Sequence, residues 1–251
     1  MSQTIEVASI TDTGKSRDNN EDSIATIADL GLVVLADGMG GHRAGEVASG
    51  LAVEIISRHM EDKLARDSKE ALSDELSFEA ESIKQAVELA NATVHETAQA
   101  KVECAGMGST VVAAMFHANK VSVAHVGDSR LYRLRDKKLV QLTEDHSVVQ
   151  ELLSRGLISE EEALTAFNKN LVTRALGVEA TVVVDVKEED TKQDDVYLLC
   201  SDGLSDVLPD NEIENHLLNG AGNLEVIAMK MVNDVNSKGG PDNISIILVR
   251  T

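Results

Sequence analysis

The stretch SIATIADLGLVVLADG, residues 23–38, contains two short apolar runs separated by the turn segment 28–31. So short a connection leaves no room for a crossover helix, so the two runs are predicted to pair as antiparallel strands. Similar turn residues at 118–119 and 135–137 connect further β-branched runs. The sequence therefore predicts antiparallel sheet built from hairpins.

Further strands, and also helices, are predicted along the rest of the chain. Strands are predicted at residues 4–10, 23–27, 31–36, 110–116, 120–126, 131–135, 181–186, 196–200 and 244–249. Helical periodicity occurs at residues 44–60, 76–102, 147–154, 160–166, 210–218 and 224–237. Hairpin strands together with separate amphipathic helices indicate an α+β fold, with helices covering the faces of the sheets.

Length and charge narrow the class of protein. The chain has 251 residues and only two prolines, with no Pro/Ser/Gly-rich linker, so we predict a single domain over residues 1–251. The formal charge of −20 argues against nucleic acid and anionic lipid as partners. Aromatic residues make up only 2% of the chain, so a base-stacking surface is not expected either.

Compartment is predicted from cysteine usage and from the hydrophobic segments. Cys104 and Cys200 are far apart and form no CxxC pair, which is typical of a reduced cytosolic protein. The N-terminus has no basic segment followed by an apolar run, as a signal peptide would. The longest run without Asp, Glu, Lys or Arg, residues 104–119, is too short and too polar to cross a bilayer. A cytoplasmic protein is expected.

Four aspartates stand beside glycine, each next to an apolar, strand-like run. They are Asp37, Asp128, Asp202 and Asp242. Carboxylates gathered at one end of a sheet lose hydration and repel one another, so they stay ionised only beside a cation. Oxygen ligands select Mg²⁺ or Mn²⁺ rather than Zn²⁺. Taken singly, each aspartate also fits a turn or a helix cap. Taken together, they favour a divalent-ion site.

The segment 16–22, SRDNNED, places one arginine among carboxylate and amide side chains. The Arg17 guanidinium could hold a phosphate through two hydrogen bonds. Glu21 and Asp22 could hold metal-bound waters. Taken alone, the segment is more typical of a solvated polar loop than of a phosphate-binding segment.

Several other catalytic chemistries are excluded by their missing motifs. Neither cysteine has an arginine six residues later, because Thr110 and Asp206 occupy those positions. The sequence contains no GxSxG elbow, no phosphate-binding GxxxxGK[ST] or GxGxxG loop, and no HExxH. A nucleophilic side chain is therefore not expected, which leaves water activated by metal ions.

Six segments in order, most of them containing these candidate residues, match the pattern of a known family, and the similarity covers the chain from about residue 5 to 249. They are RDNNEDS (17–23), LADGMGGH (35–42), GMGST (106–110), HVGDSR (125–130), CSDGL (200–204) and GPDNIS (240–245). In them the chain resembles the PP2C-type metal-dependent protein serine/threonine phosphatases, in their compact bacterial form. The resemblance implies an α-β-β-α sandwich of two packed antiparallel sheets. It also implies hydrolysis of phosphoserine and phosphothreonine by a water activated between two Mn²⁺ or Mg²⁺ ions.

The resemblance further implies a set of metal ligands. Asp37 would bridge the two ions, with the Gly38 carbonyl on the second. Asp202 and Asp242 would complete the first ion. In bacterial members Asp128, together with Asp202, would hold a third, weaker ion.

Other roles follow from the same resemblance. Asp22, with Glu21, would bind waters of the second ion, and Arg17 would hold the substrate phosphate. Eukaryotic members have a histidine directly after the Asp-Gly pair as a proposed general acid, but here that position is Met39. His42, three residues later, is the candidate acid, and a metal-bound water is the alternative. The other six histidines are expected to be structural or exposed.

The segment from about residue 143 to 177 resembles the mobile flap of bacterial members, and Asn170 within it is a candidate neighbour of the third ion. The expected partners are proteins phosphorylated by a cognate serine/threonine kinase, and a monomer is expected. Two alternatives stay open: a phosphoprotein-binding module without catalysis, and a metal phosphatase acting on small molecules or nucleotides.

Overall fold

A computed structural model describes residues 4–40, 44–65, 76–164, 171–220 and 222–251. The strands are β1 Glu6–Asp12, β2 Asp22–Ile27, β3 Leu32–Met39, β4 Gly108–Ser109, β5 Val111–His117, β6 Lys120–Val126, β7 Arg130–Arg135, β8 Lys138–Gln141, β9 Asp185–Asp190, β10 Val196–Cys200 and β11 Ile244–Arg250. The α-helices are α1 Ala44–Leu64, α2 Phe78–Ala100, α3 Val148–Ser154, α4 Glu160–Leu164, α5 Asp202–Ser205, α6 Asp210–Asn219 and α7 Leu224–Ser237. Short 3₁₀ turns occupy Ala28–Leu30 and Val102–Cys104.

The strands form two antiparallel sheets. The first has the order β1-β11-β10-β7-β8, and the second has the order β2-β3-β5-β6-β9, with β4 attached to β3. The predicted hairpins are confirmed: β2 pairs with β3, β5 with β6, and β7 with β8. Ala118 and Asn119 have φ angles of 45° and 65°, the left-handed conformation that a two-residue hairpin turn requires.

Three hydrophobic layers hold the sheets and helices together. Between the sheets, Val33 and Leu35 of β3 belong to the same cluster as Leu199 and Ile247 of the other sheet. On its outer face the second sheet packs on α1 and α2, and the first sheet packs on α6 and α7. Because both faces of the central strands are covered, residues 32–36 of β3 form an unbroken apolar run rather than an alternating one. The predicted α-β-β-α sandwich is confirmed.

One strand lies about four residues from its predicted position. The run 181–186 was expected to be a strand, but β9 begins at Asp185. Val184 packs against the helical side of the second sheet, whereas the preceding Val183 is 70% exposed. Asn91 donates to the carbonyls of Glu179 and Ala180, and Arg174 donates to that of Val183. The apolar run therefore marks a buried residue at Val184 but not at Val183, and the carbonyls of residues 179, 180 and 183 bond to side chains.

The expected flap region contains α3 and α4, and a bridge between Ser147 and Val172 closes its base. Residues 165–170, Asn170 included, lie outside the described residues. The mobility of this segment and its status within a single domain stay predictions. Across the described part of the chain, every helix is too short or too polar to cross a bilayer.

Candidate metal centre

Pairing of β2 with β3 places two carboxylates opposite each other. Asp22 opens β2 and lies across from Asp37 in the ladder. Asp37 was expected at the end of its strand, but β3 continues through Gly38 to Met39 because β4 pairs with this extension. The backbone around Asp37 is therefore hydrogen-bonded to a strand on each side, and its carboxylate is carried by a strand rather than by a loop.

The other sheet supplies two more carboxylates at the same end. Asp202 follows β10 and opens α5, and Asp242 lies two residues before β11, which pairs with β10. Ser201 links the sheets, because its Oγ donates to Asp22 Oδ2 at 2.9 Å. Residues from four separate parts of the chain thus converge at one edge of the sandwich.

The pKa values of these groups record their crowding. Loss of hydration, with Asp242 nearby, raises the pKa of Asp22 to about 6. Loss of hydration, then the charges of Asp128 and Asp242, raises the pKa of Asp202 to about 8. The pKa of Asp37 is raised well above its usual range by loss of hydration and then by Asp22 and Asp202. Such a cluster prefers protons or cations to bare negative charge.

The donor set fits a hard divalent cation. Every candidate side chain offers oxygen, which suits Mg²⁺ or Mn²⁺. Asp22 is 8% exposed, and its Oδ1 is buried without a hydrogen-bond partner among the described residues. A buried carboxylate oxygen left in this way needs a proton, a water or an ion. The residues therefore fit the ion centre that the sequence predicts.

Gly38 and Glu21 lie close together beside the carboxylates. Gly38 N–H donates to the Glu21 carbonyl at 3.1 Å, and a Cβ at Gly38 would collide with the Gly45 carbonyl of α1. A Cβ at Gly45 would lie 2.8 Å from the Glu21 carboxyl carbon. These contacts explain the glycines at 38 and 45, because β3, Glu21 and α1 lie too close together there for a side chain.

Arg17 lies at the open side of the centre. Its Nη2 is 2.7 Å from Asp242 Oδ2, and its side chain is 51% exposed. The hydrogen bond with Asp242 raises the pKa of Arg17, with Glu21 and Asp202 adding to the effect, so the guanidinium stays charged. A charged, half-exposed guanidinium beside the carboxylates is available to an incoming anion.

Asp128 borders a cleft next to the centre. It is 9% exposed, and loss of hydration, with the charge of Asp145, raises its pKa to about 6. The cleft has a volume of about 460 Å³ and also exposes Asp202. In its wall, Arg130 donates to the Asp145 carboxylate from Nε at 3.0 Å and from Nη2 at 2.7 Å. Asp128 and Asp202 thus lie together, as the third-ion hypothesis requires.

Comparison with known proteins agrees with this arrangement. The family model described as Protein phosphatase 2C matches residues 13–221. The chain is 40% identical over 242 residues to the serine/threonine phosphatase stp of Listeria welshimeri, covering 95% of this chain and 93% of that protein.

The chain belongs to the protein phosphatase 2C family.

Solved structures of the PP2C family superimpose over nearly the whole chain. The serine/threonine phosphatase Stp1 from Staphylococcus aureus has a TM-score of 0.89 at 33% identity, covering 100% of this chain and 96% of that one. The catalytic domain of PstP in complex with two manganese ions has a TM-score of 0.84 at 35% identity, covering 98% and 97%. The similarity extends over both sheets and their helices.

Asn243 shapes this PP2C site but was not singled out from the sequence. Asn243 Oδ1 accepts from Glu21 N–H at 2.8 Å, and its Nδ2 donates to the carbonyls of Thr13 and Asn19 at 2.9 Å. Asn243 therefore ties the segment that carries Arg17 to the start of β11. It lies within a quoted motif, GPDNIS, but only the tertiary contacts reveal that its amide is structural.

His42, the candidate general acid, lies outside the described residues, as do its neighbours Gly41 and Arg43. Met39, which occupies the position of the eukaryotic histidine, ends β3 and is half-buried. The role of His42 stays a prediction.

Proposed function

We propose that this protein hydrolyses phosphoserine and phosphothreonine in other proteins, using two Mn²⁺ or Mg²⁺ ions. The observation that supports it best is the convergence of Asp22, Asp37, Asp202 and Asp242 beside Arg17. A phosphate dianion could not approach four carboxylates by itself. It can approach once divalent cations have reversed the local charge.

Each residue has a separate task in this proposal. Asp37, Gly38, Asp202 and Asp242 would hold the two ions, and Asp22 with Glu21 would hold the waters around them. When bound, such ions lower the pKa of a water nucleophile and neutralise phosphoryl oxygens. No side chain of the centre is then required as a nucleophile. Asp37 lies in a strand rather than a loop, so this ligand is preorganised.

Arg17 would orient the substrate. Among the described residues its guanidinium bonds to Asp242 through Nη2, and Nη1 and Nε would be available to phosphate oxygens. Its positive charge would also stabilise the charge that develops on the phosphoryl group. Protonation of the leaving serine or threonine oxygen is assigned to His42 or to a water.

The substrate class follows from the surface and from the relatives. A formal charge of −20 and few aromatic residues disfavour a nucleotide pocket. Several relatives are named serine/threonine phosphatases. The physiological partners would be proteins phosphorylated by a cognate serine/threonine kinase, and the enzyme would act as a cytoplasmic monomer.

A phosphate-release assay tests the proposal. Phosphoserine and phosphothreonine peptides, a small aryl phosphate and a nucleotide would be compared in Mn²⁺, Mg²⁺ and EDTA. We expect turnover of the peptides with either ion and none in EDTA, restored by adding Mn²⁺. Binding of phosphopeptides without turnover would indicate a catalytically inactive module. Preference for the nucleotide would indicate a small-molecule phosphatase.

Arg17→Ala is expected to raise KM for a phosphopeptide roughly tenfold, with a smaller effect on kcat, because a substrate contact is lost while the ion centre stays intact. Arg17→Lys should fall between, since an ammonium is a point charge that cannot bind phosphate through a planar fork. Steady-state kinetics measure both.

The matched control is Arg58→Ala, which removes an exposed arginine that pairs with Glu54 on α1. It should leave KM unchanged. An unaltered KM in Arg17→Ala would contradict the phosphate-binding role.

A further inference from the structure

Three ionisable side chains form a second cluster next to the ion centre. His125 and His146 stack with ring centroids 4.4 Å apart, and Asp185 lies beside them. One ligand atom of each residue lies within 4.8 Å of the others. Two imidazoles and a carboxylate are a donor set that Zn²⁺ commonly uses. The hydrogen bonds of the cluster decide whether it is a metal site.

These bonds fix the tautomer of His146. Gly127 N–H donates to His146 Nδ1 at 3.0 Å, so Nδ1 carries a lone pair. The proton of the neutral ring is then on Nε2, which lies 3.3 Å from Asp185 Oδ2. A metal on Nε2 would force this proton onto Nδ1, where it would face the N–H of Gly127. Arg174 already compensates Asp185, with Nη1 at 2.7 Å from its Oδ1. The cluster is therefore a hydrogen-bonded chain rather than a metal site.

The series of hydrogen bonds from Arg174 through Asp185 and His146 ends at Gly127, in the turn that carries Asp128. His146 contacts Gly127 twice, because its own N–H also donates to the Gly127 carbonyl at 2.9 Å. Gly127 has a φ of 111°, and a Cβ there would lie 2.6 Å from the Cβ of Thr110. His146 thus hydrogen-bonds to both the N–H and the carbonyl of Gly127, a glycine in a positive-φ conformation. Asp128 follows directly and borders the cleft with Asp202.

The other end of the same turn, at Ser129, is connected to the ion centre by hydrogen bonds through Thr110. Ser129 Oγ bonds to Thr110 Oγ1 at 2.7 Å, and Thr110 Oγ1 accepts from Asp37 N–H at 3.2 Å. His146 itself is tied to the base of the flap segment, since its carbonyl accepts from Thr173 N–H at 2.7 Å. The turn 127–129 therefore lies between the ion centre on one side and the base of the flap segment on the other.

We propose that His146 is a positioning residue: held by Asp185 and Arg174, it fixes the Gly127 turn so that the Asp128 carboxylate stands beside Asp202 and can bind a third, weaker cation. The inference rests on the proposed function only in taking Asp128 as a ligand of that ion. His146 neither touches substrate nor binds the ion. Its effect passes through the backbone of Gly127.

Two substitutions at His146 separate positioning from simple packing. Leucine fills the space but leaves the Gly127 N–H without an acceptor, whereas the Oδ1 of asparagine can occupy the place of Nδ1. Calorimetric titration with Mn²⁺ would measure the tight and weak ions separately. We expect His146→Leu to lower the affinity for the weakly bound Mn²⁺ ion roughly tenfold and to leave the affinity for the tightly bound ions unchanged. His146→Asn should restore most of that affinity.

Three further variants complete the test. Asp128→Asn should lose the weak ion and sets the reference. His117→Leu removes another buried histidine, which bonds to Ser122 Oγ at 2.7 Å at the opposite end of β5 and β6. It should lower Tm without changing Mn²⁺ binding. Asp185→Ala removes the hydrogen-bond partner of His146 Nε2 at a half-exposed position. It should lower the affinity for the weakly bound ion a few-fold. This variant tests the positioning role if His146→Leu does not fold.

The inference is overturned if the wild type binds no weak ion, or if Asp128→Asn retains it. It is also overturned if leucine and asparagine at 146 behave alike, if His117→Leu matches His146→Leu, or if Asp185→Ala binds like the wild type. Absence of phosphatase activity in the wild type, assayed with Mn²⁺ and phosphopeptides, would instead refute the proposed function. The Mn²⁺ titrations do not depend on turnover, so the two failures are distinguishable.

Discussion

Asp37→Asn is expected to lower kcat/KM for a phosphopeptide by on the order of 10³-fold or more, while the protein stays folded. Asparagine keeps the shape of the side chain but removes the negative charge shared between the two proposed ions. The substitution also relieves repulsion, because Asp22 and Asp202 are among the charges that raise the pKa of Asp37. In EDTA the variant should therefore unfold at a temperature equal to or above that of the wild type.

Steady-state kinetics in saturating Mn²⁺ and thermal unfolding in EDTA measure the two halves of this prediction. Asp62→Asn, at an exposed position on α1, is the matched control and should change neither. Near-normal turnover in Asp37→Asn would remove the basis for a two-ion centre. A lost activity accompanied by a lower Tm in EDTA would indicate a structural role instead.

The ion-free protein is expected to lose stability as pH rises from 6.5 to 8.5. In the folded state the pKa of Asp202 is raised from 3.8 to about 8, and that of Asp37 is also raised. A carboxyl of this kind stabilises the fold fully below its unfolded pKa, and the contribution is lost as pH rises through the folded pKa. Added Mn²⁺ should therefore raise Tm more at pH 8.5 than at pH 6.5.

The pH window is chosen to isolate the carboxylates. Burial, with His125 beside it, lowers the pKa of His146 from 6.5 to about 4, so this group destabilises the protein only below pH 6.5. Scanning calorimetry in EDTA should show Tm falling across the window, with about 2–4 °C for each kcal/mol lost. Asp202→Asn should flatten the slope. A Tm that is constant or rises with pH in the wild type would contradict the prediction.

Much of the fold could be predicted from local patterns. The turn 28–31 between two apolar runs predicts antiparallel pairing, and β2 and β3 pair in that way. The helix expected at 224–237 is found with the same bounds, because Asn223 caps it by accepting from Val226 N–H. The prediction failed at residues 181–184, which precede β9. Val184 is buried there, but Val183 is 70% exposed and its carbonyl accepts from Arg174.

The candidate site divides in the same way. Glycine-flanked aspartates and the motif order were sufficient to predict Asp37, Asp128, Asp202 and Asp242 as a group, and the structure brings them together. Sequence spacing could not show that the Asp22 carboxylate is buried against Ser201, 179 positions away along the chain. The same limit applied to His146, which was expected only to be structural or exposed.

The kinds of side chain at the site, most of the strands that carry them and the chemistry they favour can be predicted from local composition and periodicity. The contacts of Ser201, Asn243 and His146 with the site cannot be predicted in this way. Their hydrogen bonds join segments distant along the chain, and such bonds leave no periodic trace in the sequence. Only packing the two sheets against each other brings these donors and acceptors within reach.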